Sequence, residues 1–225
     1  TAGTHDFAWD GKDNNGNLWF GEEFGPYLVK TNANGTVLSR EIAMPGVFAP
    51  QNAEVVNGNT LSNLNSSNGF EGMAINPAGD KLYTLLEGTV AGDAAKSLRI
   101  NAFDVNTEKY TGQQWIYKLE AQGTNIGDMT AINDHEFLVI ERNGGTATSG
   151  TPFKKIFRID LNQVNAQGFV AKTEVVDLMN IADPDDLNGD GSTHFTFPYV
   201  TIEDVLVLDA HTLLVINDNN FPGGG

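Results

Sequence analysis

The sequence contains no cysteine. Disulfides, thiol nucleophiles and zinc–thiolate sites are therefore excluded, although export from the cell is not. Positive charge is scarce: 13 Lys and Arg stand against 29 Asp and Glu, a formal net charge of −16. That field repels duplex nucleic acid and anionic membranes, so neither is expected as a partner, whereas cations are. A halophilic or marine source fits the same charge. No apolar run approaches the ~20 residues of a membrane span, so membrane insertion is not expected. An initiator Met and a signal-like leader are absent, and the chain stops at "NFPGGG" just after a strand-like run. It reads as a processed chain or a fragment, truncated at one or both ends. Motifs are missing too: there is no G-x-S-x-G elbow, P-loop, G-x-G-x-x-G or H-E-x-x-H, so serine-triad and nucleotide chemistry have no support.

Helix signals are equally few. What remains is a series of short β-rich runs, such as "KLYTLLEG", "SLRINAFDV", "EFLVIER", "DVLVLD" and "TLLVIND". Turn formers separate them, among them Asn34-Gly35, Ala78-Gly79-Asp80 and Asn133-Asp134. The pattern predicts a single all-β domain over residues 1–225, built of antiparallel hairpins. One helical turn is expected within Asp160–Gly168.

The runs repeat. "FEGMAINPAGDKLYTLLEG" (Phe70–Gly88), "IGDMTAINDHEFLVIERN" (Ile126–Asn143) and "IEDVLVLDAHTLLVINDN" (Ile202–Asn219) share one plan. An acid or Gly opens a short apolar strand, a polar turn follows, and a second apolar strand ends in polar residues. "HDFAWDGKDNNGNLWFGEEF" (His5–Phe24) is a weaker fourth copy. The spacing is wider than the ~40–50 residues of one propeller blade, but further strands follow each copy. The expectation is β-propeller-like: about four blades visible of a six-bladed or larger propeller.

In such a ring, equivalent strand ends converge on one axis. Glu71, Gly127, Glu203 and His5 are equivalent in the alignment, as are Gly72, Asp128, Asp204 and Asp6. At the second-strand ends Glu23, Glu87, Arg142 and Asp218 correspond, with Glu22, Glu141 and Asn217 one place earlier. Carboxylates from separate blades would then meet, which is costly unless a cation neutralises them. Calcium suits this best, since it takes about six to eight oxygen ligands.

The same stretches, with "GEEFGPYLVKTNANGTVL" and "FPYVTIEDVLVLDAHTLLVINDNNFP", together resemble the esterase-like phytase family, from Asp6 to Pro222 and in the expected order. The resemblance implies a secreted or periplasmic bacterial propeller that hydrolyses an ester or phosphoester. The wider group of calcium-dependent six-bladed lactonases and esterases is similar in holding calcium with Glu, Asn and Asp from strand ends. That likeness is one of fold alone.

Candidate residues follow. Glu71 in "GFEGMA", Glu203 and Asp204 at strand starts, and Asn217, Asp218 and Asn219 after "TLLVI" are metal candidates. The competing readings are solvated turn acids and Asx turns. Asp128 in "IGDM" is both a metal and a catalytic candidate. Glu22 and Glu23 are adjacent on a strand, so at most one can face the axis. Arg142 in "VIERN" either binds a phosphate or carboxylate, or makes a structural ion pair. Asp186-x-Asn188-x-Asp190-Gly191 opens like a calcium loop, but Phe197 stands at its twelfth position and no helices flank it, so it is no EF-hand. His135 and His211 sit in turns, while His5 and His194 lie nearer strand starts and are candidate bases.

These readings converge on a calcium-dependent hydrolase of a small ester or phosphoester. Glu71, Asp128, His5 and Arg142 are its catalytic candidates. Two alternatives stand beside it: a non-catalytic, calcium-stapled binding module, and a lactonase-like hydrolase.

Overall fold

The computed structural model describes residues 7–219, and within them nearly all regular structure is antiparallel β. β1 (Phe7–Lys12), β2 (Leu18–Glu22), β3 (Tyr27–Thr31) and β4 (Ile42–Ala43) form a first sheet in that order. One helical turn, α1 (Ala53–Val56), follows. β5 (Phe70–Ile75), β6 (Lys81–Leu86), β7 (Ser97–Asp104) and β8 (Lys109–Lys118) form a second sheet. The third contains β9 (Asn125–Ala131), β10 (Glu136–Arg142), β11 (Lys154–Val164) and β12 (Val170–Asp177). Two hairpins complete the set: β13 (Ile181–Ala182) with β14 (His194–Phe195), and β15 (Ile202–Asp209) with β16 (Thr212–Asn217). Each strand pairs with its neighbour in sequence, so every sheet is a simple meander. None of the helices described is long and apolar enough to cross a membrane.

Period-2 alternation explains why the sheets stack. On β6, Leu82 and Leu86 point into one apolar cluster, with Trp19, Leu28, Phe70 and Phe103. Tyr83 and Leu85 point the other way, into a second cluster with Ile126, Met129, Phe137 and Ile159. β10 repeats the arrangement, because Phe137 and Val139 join the second cluster while Leu138 and Ile140 join a third with Ile202 and Val205. A strand covered on both faces needs an almost unbroken apolar run, and "KLYTLL" and "FLVI" supply it. β8 reads "KYTGQQWIYK" and is mostly exposed, as an outer strand should be. The cores therefore lie between sheets. The first strands follow one another in space: β5 packs against β1 and β9, and β9 against β15.

The turns are set by side-chain caps. Asp13, Asn32, Asn76 and Asn165 each accept two backbone N–H bonds from residues just ahead. Such Asx turns close hairpins tightly.

One expectation is corrected in detail. No helical turn occurs within Asp160–Gly168, because Asp160–Val164 continues β11 and the turn begins at Asn165. The Ile202–Asn219 repeat is a two-stranded hairpin, and the described residues form no closed ring.

The second and third sheets are fastened by a polar knot. The fully buried Glu141 accepts bonds from the Tyr117 hydroxyl (2.6 Å), the Glu120 amide (2.6 Å) and Lys172 Nζ (2.8 Å). Lys172 also donates to the Lys118 carbonyl at 2.7 Å and lies over the Tyr117 and Phe157 rings. Removing one member of a buried pair strands the other. Glu141→Ala is therefore expected to lower unfolding free energy by about 3 kcal/mol or more. Urea denaturation checks this; a loss under about 1 kcal/mol, the scale of a surface pair, would contradict it.

Candidate functional site

The site is built from an irregularity that recurs. Pairing of β5 with β6 skips one residue between Phe70 and Gly72, leaving Glu71 as a bulge. Pairing of β9 with β10 skips Gly127, and pairing of β15 with β16 skips Glu203. The bulged residues are the three the repeats align. A bulge frees one residue from the ladder and re-aims its side chain. Glu71 and Glu203 are turned in this way toward the ends of the neighbouring strands.

Those ends bring more acids. Glu23 follows β2 directly, and Glu87 follows β6. Gly69 draws them together: its amide donates to the Glu23 carbonyl at 2.7 Å, and its own carbonyl accepts from the Glu87 amide at 2.8 Å. A Cβ at residue 69 would lie 2.2 Å from the Glu23 carbonyl oxygen, so only glycine allows this approach. Carboxylate oxygens of Glu23, Glu71 and Glu87 consequently lie within 4.8 Å of one another.

The surrounding groups hold this cluster in place. Glu87 accepts from Asn125 Nδ2 at 2.7 Å and from Asn68 Nδ2 at 3.3 Å. The Ser67 hydroxyl donates to Glu23. Arg142, the last residue of β10 and nine-tenths buried, splits its NH2 between Glu71 and Glu203, each at 3.2 Å. Its NH1 donates to the Val200 carbonyl at 3.4 Å. Lys154, paired across the ladder from Arg142 and fully buried, donates to the carbonyls of Asn143 and Val200. Burial, and then the nearby Arg142, push its ammonium down to about 8.

Positive charge does not match the negative. Burial pushes the Glu71 carboxyl up to about 8; Glu87, Glu23 and Glu203 add to the rise, and Arg142 offsets part of it. Glu87 is raised by burial, against the opposing Asn125 hydrogen bond and Arg142. Glu203 is raised by burial, with Arg142 opposing and Asp218, Asp204 and Glu87 adding. A group so placed either keeps its proton or takes a cation. The donors are all oxygen, with no His or Cys, which matches a hard cation such as calcium rather than zinc.

The other candidates are placed differently. Asp128 is buried and accepts from the amides of Met129 (2.6 Å) and Val205 (2.9 Å), tying β9 to β15; it is not in the three-acid cluster. Asp204 and Asp218 are solvent-exposed, and Asp218 lies near Glu203. Asn217 and Asn219 flank Asp218 at the end of β16. In the loop, Asp186 accepts from the Gly191 amide, Asp190 accepts from the Ser192 amide and Asn188 Nδ2, and Asn188 accepts from the Asp190 amide. Those oxygens serve the loop's own turns and join no converging group of three acids among the described residues. His5 lies outside the described residues. His135 pairs with Asp160, and His194 with the adjacent Thr193. Glu23 and Glu87 stand in the repeat alignment but not among the metal candidates read from sequence. Their signal was their shared position after a second strand. Lys154 and Gly69 gave no signal.

Comparison with known proteins agrees with this picture at the level of family. A family described as "Phytase-like: Esterase-like activity of phytase" matches residues 11–221. An "Uncharacterized secreted protein" of Arthroderma benhamiae is 27% identical over 183 residues, 64% of this chain. The chain spans 35% of that relative's length.

The raised Glu71 has a consequence for stability. Its ordinary value is 4.5, and in the folded protein it is about 8. Between those values the folded state keeps a proton that the unfolded chain has released, so stability falls as pH rises. In chelator, the Tm is expected to fall between about pH 5 and pH 8, and Glu71→Gln to flatten that fall. A wild-type Tm level across the window would contradict the assignment.

Proposed function

The chain belongs to the phytase-like family, and from that premise and the Glu23–Glu71–Glu87 cluster we propose that it is a calcium-dependent hydrolase of a small ester or phosphoester. The observation that carries this reading is that Glu71 converges with two other carboxylates, Glu23 and Glu87, and is also paired with a buried arginine. A cation site beside an anion receptor is what a negatively charged ester requires. The successive sheets, with their first strands side by side, are read as blades of a propeller-like ring. The secreted name of the fungal relative supports an extracellular location.

Each residue has a role in this reading. Glu23, Glu71 and Glu87 would hold calcium, with Asn68 and Asn125 fixing Glu87. Bound there, calcium would act as a Lewis acid toward the substrate's carbonyl or phosphoryl oxygen. Arg142 would take an anionic oxygen of the substrate through its planar fork. Glu203, outside the three-acid cluster and raised by burial, would be the group that moves a proton. Asp128 would act at a distance, by fixing β15 and with it Glu203.

A second reading has one observation in its favour. Glu23 belongs to the first sheet, whereas Glu71 and Glu87 belong to the second. An ion among them would also staple two sheets, which is the role it would have in a non-catalytic binding module.

One set of assays separates the two. Excess chelator is expected to abolish hydrolysis of aryl phosphates or aryl esters. Glu71→Gln is expected to lower kcat/KM by roughly a hundredfold or more while the fold survives, since even outer partners of a metal cost up to about that much. Full turnover in chelator would refute the hydrolase reading. Loss of stability without any turnover in the wild type would favour the staple.

A further inference from the structure

Glu71 is claimed from two sides. Its carboxylate is one of the three that converge, and its Oε1 is also an acceptor for Arg142 NH2. Arg142 is itself poorly satisfied. Its contacts measure 3.2, 3.2 and 3.4 Å, and its Nε has no acceptor. Charge-assisted bonds of this kind normally measure about 2.7–2.9 Å. A buried guanidinium with long bonds has capacity for a better anion. Its NH1 goes to the Val200 carbonyl, which Lys154 also bonds, while its NH2 faces Glu71 and Glu203.

We propose that Glu71 is a shared carboxylate that couples the two halves of the site: drawn to a divalent cation, it releases Arg142 to bind the phosphoryl or carboxylate group of a substrate. The coupling rests on the hydrolase reading above and adds a regulation to it. Without a cation, Glu71 competes with the substrate's anion for the same nitrogen. With the cation in place, the guanidinium keeps Glu203 and the Val200 carbonyl and opens one edge. By linkage the effect is reciprocal, so an anion that takes Arg142 returns Glu71 to the cation and tightens its binding. Substrate and cation would bind together far better than either alone. An acidic protein would thereby hold an anionic substrate only when the cation is present.

The test uses phenylphosphonate, a non-hydrolysable anion, with calorimetric titration and no turnover. In wild-type protein, saturating phenylphosphonate is expected to tighten calcium binding by roughly fivefold or more. In EDTA at about pH 9, above the Glu71 value of about 8 so that its carboxylate is charged, Glu71→Gln is expected to bind phenylphosphonate at least about fivefold more tightly than wild type. Glu87→Gln removes the same charge from the same cluster but does not touch Arg142, so in EDTA it is expected to stay near wild type. Thermal melts in EDTA confirm that each variant is folded, and the wild-type titration needs no variant. Equal tightening in both variants overturns the proposal, because charge alone would then explain it. Calcium affinity indifferent to phenylphosphonate also overturns it, while leaving the hydrolase reading intact. Absence of phenylphosphonate binding in every protein and condition overturns both.

Discussion

Crowded carboxylates are the constraint around which this structure is arranged. Glu23, Glu71 and Glu87 approach within 4.8 Å, and Glu203 reaches the same arginine. Burial raises Glu71 to about 8, the neighbouring acids add to the rise, and one guanidinium offsets only part of it. A fold driven by stability alone would place apolar groups there. Keeping the acids means tolerating strain that a bound cation and a bound anion would relieve.

The scaffold delivers that crowding by simple means. Meander sheets stack through alternating apolar faces, so that their first strands run side by side. A bulge at the same place in three of them turns one residue out of the ladder. In two the turned residue is glutamate. In the third it is Gly127, where a Cβ would lie 2.1 Å from the Ile202 carbonyl oxygen and 3.2 Å from Arg142 Nε. The missing side chain admits both the adjacent strand and the arginine. Polar knots away from the site, at Glu141 and at Asp128, keep the sheets in register.

Much of this was legible from the residues. The all-β meander followed from short apolar runs and turn formers. The equivalence of Glu71, Gly127 and Glu203, and of Glu23, Glu87 and Arg142, followed from the repeat. The rest depended on where backbone groups go. Asp128 aligns with acids at strand starts, but two amides claim its carboxylate. Asp186, Asn188 and Asp190 have calcium-loop spacing, yet they bond their own turn. The Asp160–Gly168 segment is polar enough for a surface turn, but pairing with β10 and β12 carries β11 through to Val164. Close approaches at Gly69 involve residues far apart in sequence, and no local pattern announces them.

The proposed site depends on a cation occupying the three-acid cluster and drawing Glu71 from Arg142. A crystal structure with a lanthanide bound in place of calcium, mapped by anomalous scattering, tests it most directly. A peak is expected among Glu23, Glu71 and Glu87, with Glu71 Oε1 moved from Arg142 NH2. A metal-saturated crystal with no peak there, and with the Glu71–Arg142 pair intact, would contradict it.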